Sequence, residues 1–350
     1  MIGNRDGALK QRRILVTGAA GFIGFHTCSR LIAAGARVLG LDDLNSYYDL
    51  TLKQARLARL DGGAGFTFER CDVADQQRVS ALMATFKPDY VVHLAAQAGV
   101  RYSLSAPAAY TRSNVDGFLA ILEACRAQPV QHLLYASSSS VYGGNSKVPF
   151  CETDAVDDPR SLYAVTKRAN ELMAHTYARL FAIPSTGLRF FTVYGPFGRP
   201  DMAYFSFTKA ILEGRAIDVY NHGRMQRDFT YIDDVVEVLE RLVPRAPLPP
   251  AGETTGSQWV PHRLYNVGNQ TPIALGAFIA VIEAAVGRKA VLNMLPMQPG
   301  DVPVTYANVD RLIADVGFSP STPIAEGMRR FVAWYRAFYG ADGAATGSAL

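Results

Sequence analysis

Short apolar runs alternate with helical periodicity through the first half of the chain. Runs at 13–17, 36–41, 66–69, 90–94, 132–136 and 185–190 are four to six residues long, and each carries Val, Leu, Ile or aromatic side chains. Apolar runs of this length, bounded by turn residues, predict buried strands. Between them, apolar positions recur at helical spacing and predict helices near 22–34, 51–60, 76–86, 107–126 and 162–180. Alternation of this kind predicts an α/β fold, a doubly wound parallel sheet with helices on both faces. Ligands of such sheets gather at the carboxyl ends of the strands. Candidate chemistry is therefore sought in the residues that follow each run.

After Phe191 the rhythm breaks. Short strands at 218–220, 264–267 and 290–295 and isolated helices at 203–213, 275–286 and 324–339 predict a smaller C-terminal lobe that closes over the ligand edge. The expected division is 12–191 for a nucleotide-binding unit and 192–339 mainly for the second lobe, some of whose segments return to the first. The stretch 244–261 is rich in Pro, Gly and Thr and predicts a surface loop. The tail 340–350 is small and polar and is expected to be disordered. No internal repeat is visible.

Composition narrows the function classes. A chain of 350 residues can bury a large core, and its net charge of +4 is spread without a basic block, so no nucleic-acid partner is expected. No run approaches the ~18 apolar residues of a membrane helix, and residues 1–11 lack an apolar signal segment. Cys28, Cys71, Cys125 and Cys151 have no metal-ligand or redox spacing and are expected to be reduced thiols. The expectation is a cytoplasmic protein without a metal.

The first strand runs into Gly18-Ala19-Ala20-Gly21-Phe22-Ile23-Gly24. Glycines at 18, 21 and 24 allow a tight turn and close approach of a diphosphate to the amides at a helix N-terminus. The spacing is GxxGxxG, and a lone glycine triplet is a weak signal; the strand before it, the helix after it and an acid ending the next strand strengthen it. That acid is Asp42. A carboxylate there accepts adenosine ribose hydroxyls and repels a 2′-phosphate, favouring NAD over NADP. Asp43 follows directly, and alternation along the strand favours Asp42. Asp72 with Val73 is a candidate for the adenine edge, with a helix N-cap as the alternative role of Asp72. Leu94, Ala95 and Ala96 end the fourth strand with room for the cofactor to pass. His93 reads as a buried, hydrogen-bonded histidine.

Ser138 lies at the end of the fifth strand, and Tyr163 and Lys167 are one turn apart on a predicted helix. A free tyrosine has a pKa of about 10, too high for a base at neutral pH. A lysine on the same helical face can stabilise the phenolate. Ser138 offers a hydroxyl to the oxygen that gains or loses the proton. The set describes acid–base chemistry coupled to hydride transfer.

With Thr17-Gly18-x-x-Gly21-Phe22-Ile23-Gly24, Asp72-Val73, Leu94-Ala95-Ala96, Tyr163-x-x-x-Lys167 and Arg189-Phe190-Phe191-x-Val193-Tyr194-Gly195-Pro196 in order, the chain resembles the extended short-chain dehydrogenases/reductases. The resemblance covers roughly 12–338, and falls in the sugar-nucleotide epimerase and dehydratase group, with a Rossmann-like fold. Within the group it is nearest to UDP-glucuronate 4-epimerases, through Asp42-Asp43-Leu44-Asn45-x-Tyr47-Tyr48-Asp49, Gln97-Ala98-Gly99-Val100-Arg101-Tyr102-Ser103, Gly198-Arg199-Pro200-Asp201-Met202-Ala203 and Leu295-Pro296-Met297-Gln298-Pro299-Gly300-Asp301-Val302.

The resemblance implies tightly held NAD, a transient 4-keto sugar and inversion at C4 with no net reductant. It implies a homodimer through the 107–126 and Tyr163 helices, whose apolar residues include Phe118, Ile121, Leu122, Leu172 and Met173. Related dehydratases carry an Asp-Glu pair after the hydroxyl residue, and related decarboxylases a Glu at the second position. Here Ser139 and Ser140 stand there and cannot act as carboxylate acids. For a glucuronate substrate, Arg199 is the candidate carboxylate clamp, because a guanidinium holds a carboxylate in a fixed plane; a solvated turn arginine is the alternative. Thr192 and Ser140 are further candidate donors to the sugar. Arg227 resembles the family's diphosphate arginine, with a strand-edge ion pair to Asp228 as the alternative. Arg101 is a second phosphate or sugar candidate, Tyr220 a candidate beside the base, and Asp301 a candidate near ribose or phosphate. The rival readings are a 4-epimerase of a neutral UDP-hexose, a catalytically idle NAD-binding scaffold, and a net reductase.

Overall fold

A computed structural model describes residues 7–340 apart from 62, 64, 250–258 and 299. The expected disordered tail beyond Gly340 and much of the 244–261 loop lie outside the described residues.

Six predicted strands form in chain order: β1 (Arg13–Thr17), β2 (Arg37–Asp42), β3 (Phe66–Arg70), β4 (Tyr90–His93), β5 (His132–Ser138) and β6 (Ser185–Phe190). They are joined by α1 (Phe22–Ala33), α2 (Leu50–Leu60), α3 (Gln76–Phe86), α4 (Tyr102–Ser105), α5 (Pro107–Tyr110), α6 (Gly117–Ala127) and α7 (Leu162–Phe181). The later elements are β7 (Thr192–Tyr194), α8 (Ala203–Leu212), β8 (Ala216–Val219), β9 (Gln226–Tyr231), α9 (Ile232–Leu242), β10 (His262–Val267), β11 (Pro272–Ala274), α10 (Leu275–Val286), β12 (Val291–Met294), α11 (Asp310–Val316) and α12 (Ile324–Tyr339).

The main sheet has the order β10-β6-β5-β4-β1-β2-β3, and every pairing in it is parallel. Parallel strands need crossovers, so helices cover both faces and the strands are almost continuously apolar. Successive side chains on β1 point to opposite faces. Ile14 and Val16 enter one core with Phe25 and Val235, whereas Leu15 enters the other with Val91, Phe118 and Ile121. Truncating Leu15 to alanine should cost about 2–5 kcal/mol of stability. The order of strand addition reverses between β1 and β4, which run parallel, so their carboxyl ends open the crevice where a nucleotide binds.

The predicted helix at 107–126 is interrupted. A π-helical segment, Thr111–Asp116, separates α5 from α6. The wider turn directs Asn114 inward, where its Nδ2 donates to the Gln97 carbonyl and Thr166 Oγ1, each at 3.0 Å. Its own carbonyl accepts from Asn170 Nδ2 at 2.6 Å. Phe118, Ile121 and Leu122 lie fully within the core. Of the other two apolar residues named from the sequence, Leu172 is exposed and Met173 half-buried, and Leu119 on α6 and Val165 and Leu180 on α7 are exposed as well.

The second lobe departs further from the sequence reading. β7, β9 and β11 form a three-stranded sheet, and β8 pairs with β12. Two of those strands have three residues, too few to show a period. α9 packs on α1, and β10 extends the main sheet beside β6. The apolar stripe of α9, Ile232, Val235, Val236, Leu239 and Leu242, has helical spacing, yet the sequence reading assigned no helix to 232–242. All four cysteines are free, three of them buried.

Candidate active site

A cavity of about 820 Å³ runs along the carboxyl edge of the sheet and under the second lobe. Every candidate residue named from the sequence lines it, from Gly18 and Asp42 through Ser138 and Tyr163 to Arg227 and Asp301.

At the cofactor end, β1 turns at Gly18, whose φ of +71° favours glycine, and a Cβ there would lie 2.8 Å from the Ala95 nitrogen. A Cβ on Gly24 would overlap the Gly18 carbonyl oxygen. The loop thus packs directly on the Leu94-Ala95-Ala96 segment and brings Phe22, Ile23 and Gly24 to the cavity. Gly21 is the N-cap of α1 and supplies no side-chain cap, leaving the first-turn amides facing the cavity. An open helix N-terminus between glycines suits a diphosphate.

Asp42 ends β2 with both carboxylate oxygens engaged. Oδ2 accepts from the Ala20 amide at 3.2 Å and Oδ1 from the Leu44 amide at 2.9 Å. Lys53 Nζ lies 3.4 Å away in a buried pair that the sequence reading missed. Burial pushes the Asp42 carboxyl up, while Lys53 and the Leu44 amide hold it down. Asp43 instead accepts from Asn45 and is less buried. Asp72 is not an N-cap: Asp75 caps α3, and Asp72 pairs with Arg112 at 2.7 Å. Val73 is buried beside it. His93 is buried, with Nδ1 2.8 Å from Thr17 Oγ1, and burial followed by Lys167 pushes its pKa down to about 3.

The chemical centre sits where β5 meets α7. Ser161 caps α7, accepting from the Ala164 amide at 3.1 Å, which places Tyr163 and Lys167 on the first two turns. Ser138 Oγ donates to Ser140 Oγ and accepts from the Ser140 amide, both at 3.1 Å. Burial raises the Tyr163 pKa; a hydrogen bond from Ser138 and the charge of Arg199 oppose that rise. Lys167 is buried, its Nζ donates to the Ala136 carbonyl at 2.9 Å, and burial pushes it down to about 8. The charge of Arg199 thus acts on the phenol, while the Lys167 ammonium is engaged by the Ala136 carbonyl.

Arg199 is no solvated turn residue. Its Nε donates to Asp201 at 3.0 Å and its Nη2 to the other Asp201 oxygen. Tyr47 donates to Asp201 at 3.2 Å. Thr192 opens β7 at the cavity wall.

At the far end, Arg101 and Arg227 flank Asp301. Arg101 Nη2 lies 3.4 Å from Asp301, and its guanidinium stacks 4.6 Å from the centre of the Tyr220 ring. Tyr220 is therefore a cavity residue rather than a core one. Arg227 donates to the Pro303 carbonyl at 3.2 Å; burial lowers its pKa and Asp301 raises it. It makes no pair with Asp228, its neighbour on β9, because adjacent strand side chains face opposite ways. Asp228 accepts instead from the amides of Asn269, Gln270 and Ala307.

Sequence reading missed Lys53, Tyr47 and Asp201. Lys53 shares a buried helical face with Leu52, Arg56 and Leu60, so its spacing carried a signal. Asp201 sits two residues from Arg199, and nothing in that spacing says whether the two side chains turn toward each other. Among the described residues, no cluster of His, Cys, Asp and Glu could hold a metal ion and no helix is long and apolar enough to cross a membrane.

The chain is similar to known proteins over nearly its whole length. It is 49% identical over 332 residues to the probable UDP-glucuronate 4-epimerase of Rhizobium meliloti, covering 92% of this chain and 96% of that one. It is 45% identical to UDP-glucuronate 4-epimerase 4 of Arabidopsis thaliana, over 94% of this chain and 76% of that one. The structure of the Bacillus cereus UDP-glucuronic acid 4-epimerase in complex with UDP-glucuronic acid and NAD superposes with a TM-score of 0.84 at 32% identity, over 93% of this chain and 100% of that one. Residues 14–254 match the NAD dependent epimerase/dehydratase family, and with the glycine loop, the acid ending β2 and the Ser-Tyr-Lys centre in one cavity, the chain belongs to that family.

Proposed function

We propose that this protein is an NAD-dependent UDP-glucuronate 4-epimerase, interconverting UDP-glucuronate and UDP-galacturonate. The observation that carries the proposal is the single cavity joining three ends: an open helix N-terminus with Asp42, the Ser138–Tyr163 pair, and arginines at 101, 199 and 227. The likeness to named UDP-glucuronate 4-epimerases supports the same substrate.

Gly18, Gly21 and the first-turn amides of α1 hold the cofactor diphosphate, Asp42 the adenosine ribose, and Leu94 to Ala96 flank its path. Asp72 and Val73 stand at the adenine edge. NAD, when bound, supplies the hydride acceptor and donor. Tyr163 takes the proton from the sugar 4-hydroxyl and returns it to the opposite epimer, and Ser138 holds that same oxygen. Lys167 carries positive charge beside this centre at neutral pH. Ser139 and Ser140 offer no carboxylate, so the chain has no acid there to eliminate water. Arg199, with Thr192 and Ser140, holds the sugar carboxylate and restrains loss of CO₂. Arg227 and Arg101 neutralise the substrate diphosphate, with Asp301 setting their spacing and Tyr220 beside the base.

In this reading residues 12–191 carry the cofactor and acid–base groups and 192–339 mainly the sugar-nucleotide contacts. Exposed Leu119, Val165, Leu172 and Leu180 on α6 and α7 support a homodimer through that face, and a cytoplasmic location suits a UDP-sugar substrate. The test is to incubate purified protein with UDP-glucuronate and follow products by anion exchange and NMR. UDP-galacturonate supports the proposal; a UDP-pentose or unreacted substrate overturns it.

A further inference from the structure

Arg56 has no role in the chemistry above, yet it is fully buried. A buried cation is costly unless its donors are satisfied and its charge is offset. Its hydrogen bonds go to carbonyls and one phenol; among the described residues none reaches a carboxylate. Nη1 donates to the Ala20 carbonyl at 2.8 Å and to Tyr48 Oη at 2.6 Å. Nη2 donates to the Phe197 carbonyl at 2.6 Å and the Gly198 carbonyl at 3.2 Å, and Nε to Phe197 again at 3.2 Å.

These acceptors lie on different parts of the site. Ala20 is inside the glycine loop at the cofactor end. Phe197 and Gly198 immediately precede Arg199, and Phe197 holds a φ of +57°, uncommon for a residue with a side chain. The same turn is tied to α1 by His26, whose Nε2 lies 2.9 Å from the Pro196 carbonyl. One planar guanidinium thus fastens the loop that cradles the cofactor to the turn that presents Arg199. A lysine ammonium of similar reach has one donor centre and cannot bridge both acceptor groups as a fork does.

We propose that Arg56 is a positioning residue that locks the Arg199 turn onto the cofactor loop and so couples cofactor retention to recognition of the sugar. The inference rests on the functional reading above. A tie between two sites makes binding at either one depend on the other.

The test compares Arg56→Met and Arg56→Lys with wild-type protein, each purified at full length and checked for folding by thermal melting. Released nucleotide measures NAD retention, and calorimetry measures affinity for UDP-glucuronate and for UDP. Loss of a buried charge-assisted hydrogen bond is worth on the order of tenfold. Arg56→Met should hold about tenfold less NAD and bind UDP-glucuronate about tenfold more weakly, while its UDP affinity is unchanged. The kinetic loss should fall on KM more than on kcat, because Ser138 and Tyr163 stand on other elements. Arg56→Lys should lose selectivity for UDP-glucuronate over UDP by several-fold, and this variant decides the matter if the methionine protein does not fold. Unchanged selectivity and retention in a folded variant, or equal loss of UDP and UDP-glucuronate, overturns the proposal. If wild-type protein itself does not distinguish UDP-glucuronate from UDP, the substrate assignment has failed; NAD retention then decides Arg56 alone, and wild-type retention in both variants overturns it.

Discussion

The cofactor end and the sugar end of the cavity are built on opposite principles. The cofactor end uses backbone: Gly18 to Gly24 are contiguous, and the groups offered to a diphosphate are amides fixed by the turn from β1 into α1. The sugar end uses charged side chains gathered from distant segments, and they already have internal partners. Arg199 is held by Asp201, Arg101 faces Asp301 across an interval of 200 residues, and Arg227 rests on a carbonyl. Backbone amides are preorganised wherever the fold forms. Side-chain cations must be aimed, and here internal carboxylates aim them, so an anionic ligand competes with or shares those partners.

The comparison makes predictions of graded size. The largest effect belongs to neither end: Tyr163→Phe should fold and retain NAD but lose on the order of 10²–10⁴ in turnover. Near-normal activity would remove Tyr163 from its role. At the sugar end, Arg199→Ala should weaken UDP-glucuronate binding by roughly 10- to 100-fold, the worth of about 1.5–3 kcal/mol for a charge-assisted hydrogen bond. A neutral UDP-hexose should lose much less, and equal losses for both would mean that Arg199 only shapes the turn. At the cofactor end, Asp42→Ala should reduce NAD affinity more than NADP affinity, by about tenfold in their ratio. An unchanged ratio in a nucleotide-binding assay would show that another group faces the ribose.

The smallest effect is a pH dependence of stability carried by buried histidines. Burial pushes His26, His132 and His262 down to about 4 and His93 to about 3. The unfolded chain takes up these protons near pH 6.5, whereas the folded chain refuses them until pH 4 or below. Between those values the unfolded state binds more protons, so stability falls as pH falls. His132→Gln should flatten that slope in thermal melts from pH 7 to 5, since His132 Nε2 stands 2.8 Å from Thr186 inside the sheet layer. A slope as steep as wild type would assign the acid sensitivity to other groups.

Much of the nucleotide-binding half was legible because its signals are local. The runs at 13–17 and 185–190 coincide with β1 and β6, and 76–86 with α3. Elsewhere, contacts remote in sequence overrode the local signals. The 107–126 pattern is helical throughout, yet Asn114 draws the chain into a wider turn to reach Gln97 and Thr166, partners remote in sequence. Lys167 sits one turn from Tyr163 as its spacing requires, but its ammonium points to Ala136, and no spacing rule contains that choice.

The sequence by itself determined the alternation of strands and helices, the glycine turn, the acid ending β2 and the helical spacing of Tyr163 and Lys167. Each is set by backbone sterics and periodicity within a few residues. Only the tertiary structure decided that Lys53 pairs with Asp42, that Asp301 lies between Arg101 and Arg227, and that Arg56 joins the Ala20 loop to the Arg199 turn. Those contacts depend on how packed layers bring distant segments together, and a charge's partner follows from that distance rather than from its neighbours along the chain.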